Sequence, residues 1–296
     1  MTYQQQLQRV KHSKGFIAAL DQSGGSTPKA LENYGITQEA YDDEAAMFDL
    51  VHEMRARIMT CDSFDIERVL GAILFEDTMD RAVNGKPTAN YLWQDKNMVP
   101  FLKVDKGLAA PMNGVQVMRP MPDLEALLDK AKAYPIFGTK MRSVIYEPNV
   151  DGIELVVQQQ FDVAKQILSQ GLMPIVEPEV DIHSADKHEC EVILKASILR
   201  HLERLADNQY VMLKLTLPER AGFYQALIEH PKVLKVVALS GGYSRSDACA
   251  KLAQNSGMIA SFSRAFTQGL SYQQSAAEFA DTINNAIDEI YQASKI

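Results

Sequence analysis

The sequence is poor in cysteine, with Cys61, Cys190 and Cys249 as its only three in 296 residues. So few and so scattered, they exclude a disulfide framework and a four-cysteine zinc cage, and they read as small buried apolar residues in a reducing compartment. No run approaches the roughly 18 apolar residues of a membrane span. Met1 to Gly15 is polar and lacks the apolar centre of a secretory signal. Basic residues are in deficit, 30 Lys and Arg against 38 Asp and Glu, for a net charge of −8. That sign excludes a broad attraction to nucleic acid or to an anionic membrane, so any phosphate chemistry must use a local basic pocket. Low-complexity linkers and charge blocks are also missing, which predicts one domain over 1–296, in the cytoplasm.

What is present is a repeat of short apolar, β-branched runs. They are Gly15 to Leu20, Val69 to Phe75, Val99 to Val104, Pro135 to Ile145, Met173 to Val176, Tyr210 to Leu217, Val233 to Leu239 and Met258 to Phe262. Between most of them the apolar spacing is helical. Gln38 to Ile58 sets Tyr41, Ala45, Phe48, Val51, Met54 and Ile58 on one side, and Asp151 to Gln170 does the same with Ile153, Val156, Val157, Phe161, Ala164 and Ile167 before Gly171. Strand and helix alternating through such a length fit an α/β fold, either an open doubly wound sheet or a closed ring. Eight strands favour the (β/α)8 TIM barrel. Asp80 to Met98, with Gly85, Pro87 and Trp93, lacks clear periodicity and predicts an irregular excursion.

Strands buried in a parallel sheet should be continuously apolar, yet these carry charges at their C-terminal ends. Asp21 follows the first strand; Lys103 and Asp105 end the third; Lys140 and Arg142 lie on the fourth, Glu177 and Glu179 on the fifth and Lys214 on the sixth. Residues two apart share a face, so each pair can aim at the barrel axis. Pro178 cannot donate to a ladder, which puts Glu-Pro-Glu at a strand end, where barrels build active sites. Any one such charge could be a solvated strand end. Eight at equivalent ends of five strands point to a site, because burying each is costly unless it is paired.

Lys214 has the most apolar surroundings of the three strand lysines, Tyr210-Val211-Met212-Leu213-Lys214-Leu215. Desolvation and a cationic neighbour such as Lys140 both favour a neutral, nucleophilic amine that can add to a ketone. The iminium so formed is an electron sink, so the expected cofactor and metal requirement is none. Asp21, Glu177 and Glu179 can carry the proton transfers. His183, His188 and Cys190 form the nearest approach to a metal cluster, on a loop entering a helix, and read as structural.

After the seventh strand, Leu239-Ser240-Gly241-Gly242-Tyr243-Ser244 leads into an expected helix from Ser244 to Gln254, whose N-terminus could receive an anion. Ser261-Phe262-Ser263-Arg264 follows the eighth strand and adds a cation. Barrel enzymes often hold phosphate with the loops after strands seven and eight. A second cluster, Gln22-Ser23-Gly24-Gly25-Ser26-Thr27, follows Asp21 and could hold another phosphate with help from Lys103.

From Gly15 to about Phe266 the chain resembles class I fructose-bisphosphate aldolases. The likeness rests on Ala19-Leu20-Asp21-Gln22-Ser23, Leu102-Lys103-Val104-Asp105-Lys106-Gly107, Pro174-Ile175-Val176-Glu177-Pro178-Glu179 and Leu239-Ser240-Gly241-Gly242. It implies a metal-independent glycolytic lyase that reversibly splits fructose 1,6-bisphosphate into dihydroxyacetone phosphate and glyceraldehyde 3-phosphate. In that pattern Lys214 forms the Schiff base and Glu177 serves as its acid and base. Asp21 handles the carbon-4 hydroxyl, Lys140 lies close to the reacting centre and Glu179 supports the lysines. Ser240, Gly241, Ser263 and Arg264 match the carbon-1 phosphate site; Ser23, Ser26, Lys103 and Arg142 match the other phosphate end or the sugar hydroxyls.

The sequence departs from animal-type members at Gln22, where they have an acid, at Phe262, where they have tyrosine, and at Ser263, where they have glycine. Ending at Ile296, it is also expected to lack their C-terminal tyrosine tail. The expected partner is a phosphorylated sugar, with no nucleic acid or membrane and with a homo-oligomer possible. Two other readings stand beside this one: a Schiff-base aldolase for a monophosphate such as tagatose or deoxyribose phosphate, and an inactive barrel that serves as a scaffold.

Overall fold

The computed structural model describes residues 3–295. Eight parallel strands follow one another around a ring: β1 Phe16–Leu20, β2 Val69–Leu74, β3 Val99–Lys103, β4 Gly138–Ile145, β5 Met173–Val180, β6 Val211–Thr216, β7 Val233–Leu239 and β8 Met258–Ala260. Sequential neighbours pair from β1 through β8, and Ala19 N–H donates to the Phe262 carbonyl at 3.1 Å across the remaining gap. The eight expected runs all form strands, and the architecture is the expected, nearly closed barrel.

The longer helices are α1 Tyr3–His12, α2 Ser26–Asn33, α3 Glu44–Thr60, α4 Leu124–Lys132, α5 Val150–Ser169, α6 Lys187–Glu203, α7 Arg245–Leu252 and α8 Ala276–Ser294. Two starts differ from the periodicity. The Asp43 carboxylate accepts from Ala46 N–H and starts α3 there, which leaves Tyr41 outside it after a short 3-10 turn at Gln38–Ala40. Asn149 caps α5 in the same way through Gly152 N–H. The expected excursion forms a two-residue hairpin, Ala82–Val83 with Lys86–Pro87, and then a short helix with a π-turn over Tyr91–Asp95. Among the described residues no helix is long and apolar enough to cross a membrane.

The barrel interior is an apolar plug with a polar layer above it, and the two-residue repeat of a strand produces both. Ala19, Phe101, Ile175, Met212 and Ile259 belong to one buried cluster, and the residues two further along are Asp21, Lys103, Glu177, Lys214 and Ser261. At the opposite end α1 covers the plug. Its Val10 joins the cluster, Tyr3 stacks on Phe137 at 4.9 Å, and Gln6 donates to the Pro135 carbonyl at 2.7 Å. One side chain repairs the sheet near the site. Beyond the pair Val176 with Leu213, β5 and β6 have no ladder, and the Thr216 hydroxyl donates to the Val180 carbonyl (2.7 Å) while accepting from Val180 N–H (2.9 Å). Pro178 falls in this stretch, where β5 has no ladder with β6 to interrupt.

Candidate active site

A cavity of about 570 Å3 opens at the C-terminal ends of the strands. On its floor four side chains alternate in charge. Lys140 Nζ lies 3.0 Å from Asp21 Oδ2 and 2.7 Å from Glu177 Oε2, and the other Glu177 oxygen, Oε1, lies 3.1 Å from Lys214 Nζ. All four are buried, Lys214 to 3% exposure and Glu177 to 2%. Strand order brings them together, since β4, β5 and β6 are consecutive and supply Lys140, Glu177 and Lys214 at neighbouring levels.

Burial alone would raise the Asp21 carboxyl, but Lys140, then Lys214 and Lys103, outweigh it and hold the group well below the usual carboxylate range. Burial likewise works against the charge on Lys140, and Asp21, Glu177 and Asp105 overcome it, so Lys140 stays protonated far above neutral pH. The two lysines therefore differ: Lys140 is clamped between two carboxylates, whereas Lys214 touches one.

Each expected site residue lines this cavity: Lys214, Glu177, Asp21, Lys140, Glu179, Ser23, Ser26, Lys103, Arg142, Ser240, Gly241, Ser263 and Arg264. Their partners differ from expectation in three places. Glu179 accepts from Arg142 Nε at 2.5 Å rather than supporting a lysine. Lys103 is held by the Asp105 carboxylate at 2.7 Å and by the Asp105 carbonyl at 2.8 Å. The helix expected after the Ser-Gly-Gly turn is α7, and its N-terminus is already capped by Ser244, which accepts from Asp247 N–H at 3.1 Å and donates to the Asp247 carboxylate at 2.7 Å.

An anion is offered the turn itself. Tyr243 N–H closes it on the Ser240 carbonyl at 2.9 Å, and the amides of Gly241 and Gly242 have no acceptor among the described residues. Gly241 sits at φ 61, and a Cβ there would come within 2.7 Å of Ile182. A Cβ on Gly242 would lie 3.7 Å from the Arg264 guanidinium, so that cation hangs over the turn. After β1, Ser23 N–H donates to Ser26 Oγ at 3.1 Å, at the start of α2.

Five residues of consequence had no role assigned from sequence. Asp105 holds Lys103 and also accepts from Arg142 N–H at 3.2 Å. Ser261 lines the cavity with a buried hydroxyl that has no partner among the described residues. Gln22 donates to Ser263 Oγ at 2.6 Å, and the buried Arg55 reaches the Gln22 carbonyl at 2.5 Å. Gln160, on the inner face of α5, accepts from Glu177 N–H at 2.9 Å and donates to Ser143 Oγ at 3.1 Å. Arg55 and Gln160 each left a signal: both fall on the apolar stripe of a helix, between Val51 and Ile58 and between Val157 and Ala164, where a polar residue needs a partner.

A family model for class-I fructose-bisphosphate aldolase matches residues 4–220. Fructose-bisphosphate aldolase class 1 from Synechocystis is 58% identical over 291 residues, which is 98% of this chain and 97% of that protein. The chain belongs to the class I fructose-bisphosphate aldolase family. Among solved structures, the Plasmodium falciparum fructose-bisphosphate aldolase, determined in complex with TRAP and a small-molecule inhibitor, shares the fold at a TM-score of 0.79 and 19% identity, over 99% of this chain and 93% of that one. A Corynebacterium glutamicum protein follows at a TM-score of 0.54 and 12% identity, over 98% and 92% of the two chains. Lys214 with Glu177, and Lys140 with Asp21 and Glu177, are both buried lysines with carboxylates in reach.

Proposed function

We propose that this chain reversibly cleaves fructose 1,6-bisphosphate to dihydroxyacetone phosphate and glyceraldehyde 3-phosphate, with Lys214 as the Schiff-base lysine. The observation that carries this reading is the alternating chain Asp21, Lys140, Glu177, Lys214 on the cavity floor. Lys214 is the nucleophile because it has one carboxylate neighbour, while Lys140 is locked by two. Glu177 Oε1 takes a proton from the Lys214 amine, the amine adds to the substrate ketone, and Glu177 returns the proton to the carbinolamine hydroxyl, which leaves as water.

Asp21, ionised and held at Lys140, accepts the proton of the carbon-4 hydroxyl. The bond between carbons 3 and 4 then breaks, the aldehyde leaves, and its electron pair passes into the iminium to give an enamine. Protonation of the enamine and addition of water release the ketone phosphate and restore the lysine. The iminium serves as the electron sink throughout. The Ser240–Gly242 turn with Ser263 and Arg264 supports binding of one phosphate, and Ser23, Ser26 and Lys103 support the other. Two anion-binding ends favour a bisphosphate. The unbridged Cys61, Cys190 and Cys249 support a reducing compartment, the cytoplasm, where this glycolytic step would run.

The test is borohydride trapping with dihydroxyacetone phosphate followed by peptide mapping. The expected adduct sits on the peptide bearing Lys214 and is absent from Lys214→Met. An adduct on Lys140, or undiminished cleavage by Lys214→Met, overturns the assignment.

A further inference from the structure

Seven of the eight strand junctions carry a ladder. The eighth, between β8 and β1, has the Ala19 to Phe262 backbone bond, and just above it Gln22 Nε2 donates to Ser263 Oγ at 2.6 Å. Behind Gln22 stands Arg55, a fully buried guanidinium with no carboxylate in ion-pair range among the described residues. It donates to Thr78 Oγ1 at 2.6 Å, to the Gln22 carbonyl at 2.5 Å and to Gln22 Oε1 at 3.3 Å. Burial pushes it down to about 10, with Asp21 and then Asp77 pulling it back, so it is charged at neutral pH.

The direction of each bond in this row follows from chemistry. A guanidinium has donors only, so the oxygen of the Gln22 amide must face Arg55. The NH2 end of that amide is thereby turned to Ser263. A serine hydroxyl that accepts there keeps its single proton for another partner, and among the described residues Ser263 Oγ gives that proton to none. The remaining direction is the cavity, which Ser263 lines together with Ser240, Gly241 and Arg264.

We propose that Arg55 and Gln22 form a directional relay that fixes Ser263 as a hydrogen-bond donor to a phosphate monoester dianion seated beside Arg264. Arg55 is a positioning residue, acting on the ligand through Gln22 and Ser263. The proposal rests on the phosphate reading given above and adds to it the polarity of one contact and the residue that sets it.

The discriminating variant is Gln22→Glu. It keeps the shape and gives Arg55 a better partner, but its carboxylate takes the Ser263 proton and abolishes the donor. The readout is the concentration of dihydroxyacetone phosphate, and of unphosphorylated dihydroxyacetone, needed for half-maximal borohydride trapping. In Gln22→Glu the preference for the phosphorylated ketone is expected to fall about tenfold or more, the worth of one hydrogen bond to a charged group, with the melting temperature at or above that of the parent. Ser263→Ala should lose a similar factor, and the double variant should lose little more than Ser263→Ala alone. Simple repulsion by the new carboxylate would instead persist in the Ser263→Ala background, and full additivity overturns the relay. So does an unchanged preference in Gln22→Glu. If the parent protein itself is not trapped by dihydroxyacetone phosphate, the functional reading fails and the relay with it; normal trapping with an indifferent Gln22→Glu sinks the relay alone.

Discussion

Glu177 has one oxygen for each lysine, Oε2 for Lys140 and Oε1 for Lys214, and in the proposed mechanism this division lets it move a proton while remaining anchored. Glu177→Gln keeps the size and loses the base. Imine formation, followed by trapping rate with saturating dihydroxyacetone phosphate, should slow about a hundredfold to ten-thousandfold with the phosphate contacts intact. Lys140 serves a different purpose, pairing with two buried carboxylates 3.0 Å or less away. Its removal as Lys140→Met breaks a buried pair and should cost about 3 to 5 kcal/mol at neutral pH.

The pH dependence of that variant has a definite sign. In the parent the Asp21 carboxyl is depressed, so its contribution is present above its unfolded value near 4 and is lost only as pH falls through the lower folded value. Without Lys140, two buried carboxylates face each other, at least one is raised above its unfolded value, and stability is lost as pH rises through it. Urea midpoints at pH 5 and pH 8 should therefore be similar for this group in the parent and clearly lower at pH 8 in Lys140→Met.

At the scale of elements, α5 does more than cover the sheet. Gln160 reaches from it into the junction of β4 and β5 and satisfies the Glu177 amide and the Ser143 hydroxyl together. Gln160→Leu would strand both groups at about 1 to 3 kcal/mol each, visible as a lower urea midpoint, and should lower turnover more than it raises the Michaelis constant, because the loosened peptide is that of Glu177. Unchanged turnover with lowered stability would make Gln160 structural only.

The same helix shows how far a sequence can be read. Its apolar stripe gave the element and its buried face, and the charges at strand ends gave the site, because both are consequences of period and burial. Strand parity put Glu179 on the cavity side, yet parity cannot choose between Arg142 and a lysine as its partner, since that depends on side-chain reach across neighbouring strands. Nor could it show that Ser244 spends the α7 N-terminus on its own cap. Arg55 and Gln160 were visible as polar residues on buried stripes, but their partners lie 33 and 17 residues away in sequence and appear only once the ring is closed.

At the scale of the whole molecule, the barrel is plugged below by α1 and open above over the charged floor, so function is confined to one end. The ring is also unevenly fastened: β8 is three residues long, and its contact with β1 depends on a solitary main-chain bond and the glutamine above it. Like a cask with one loose stave, it should breathe there first, and the Ala19 amide reports the opening through its deuterium uptake. On the proposed assignment a ligand with a phosphate at each end would straddle that stave, one end at Arg264 and the other at Ser23, and so act as a hoop. At a hundred times its dissociation constant it can add up to about 2.7 kcal/mol of protection at Ala19, and inorganic phosphate, which cannot reach across, should add far less. The substrate would then be part of the cooperage, tightening the vessel in which it is cut.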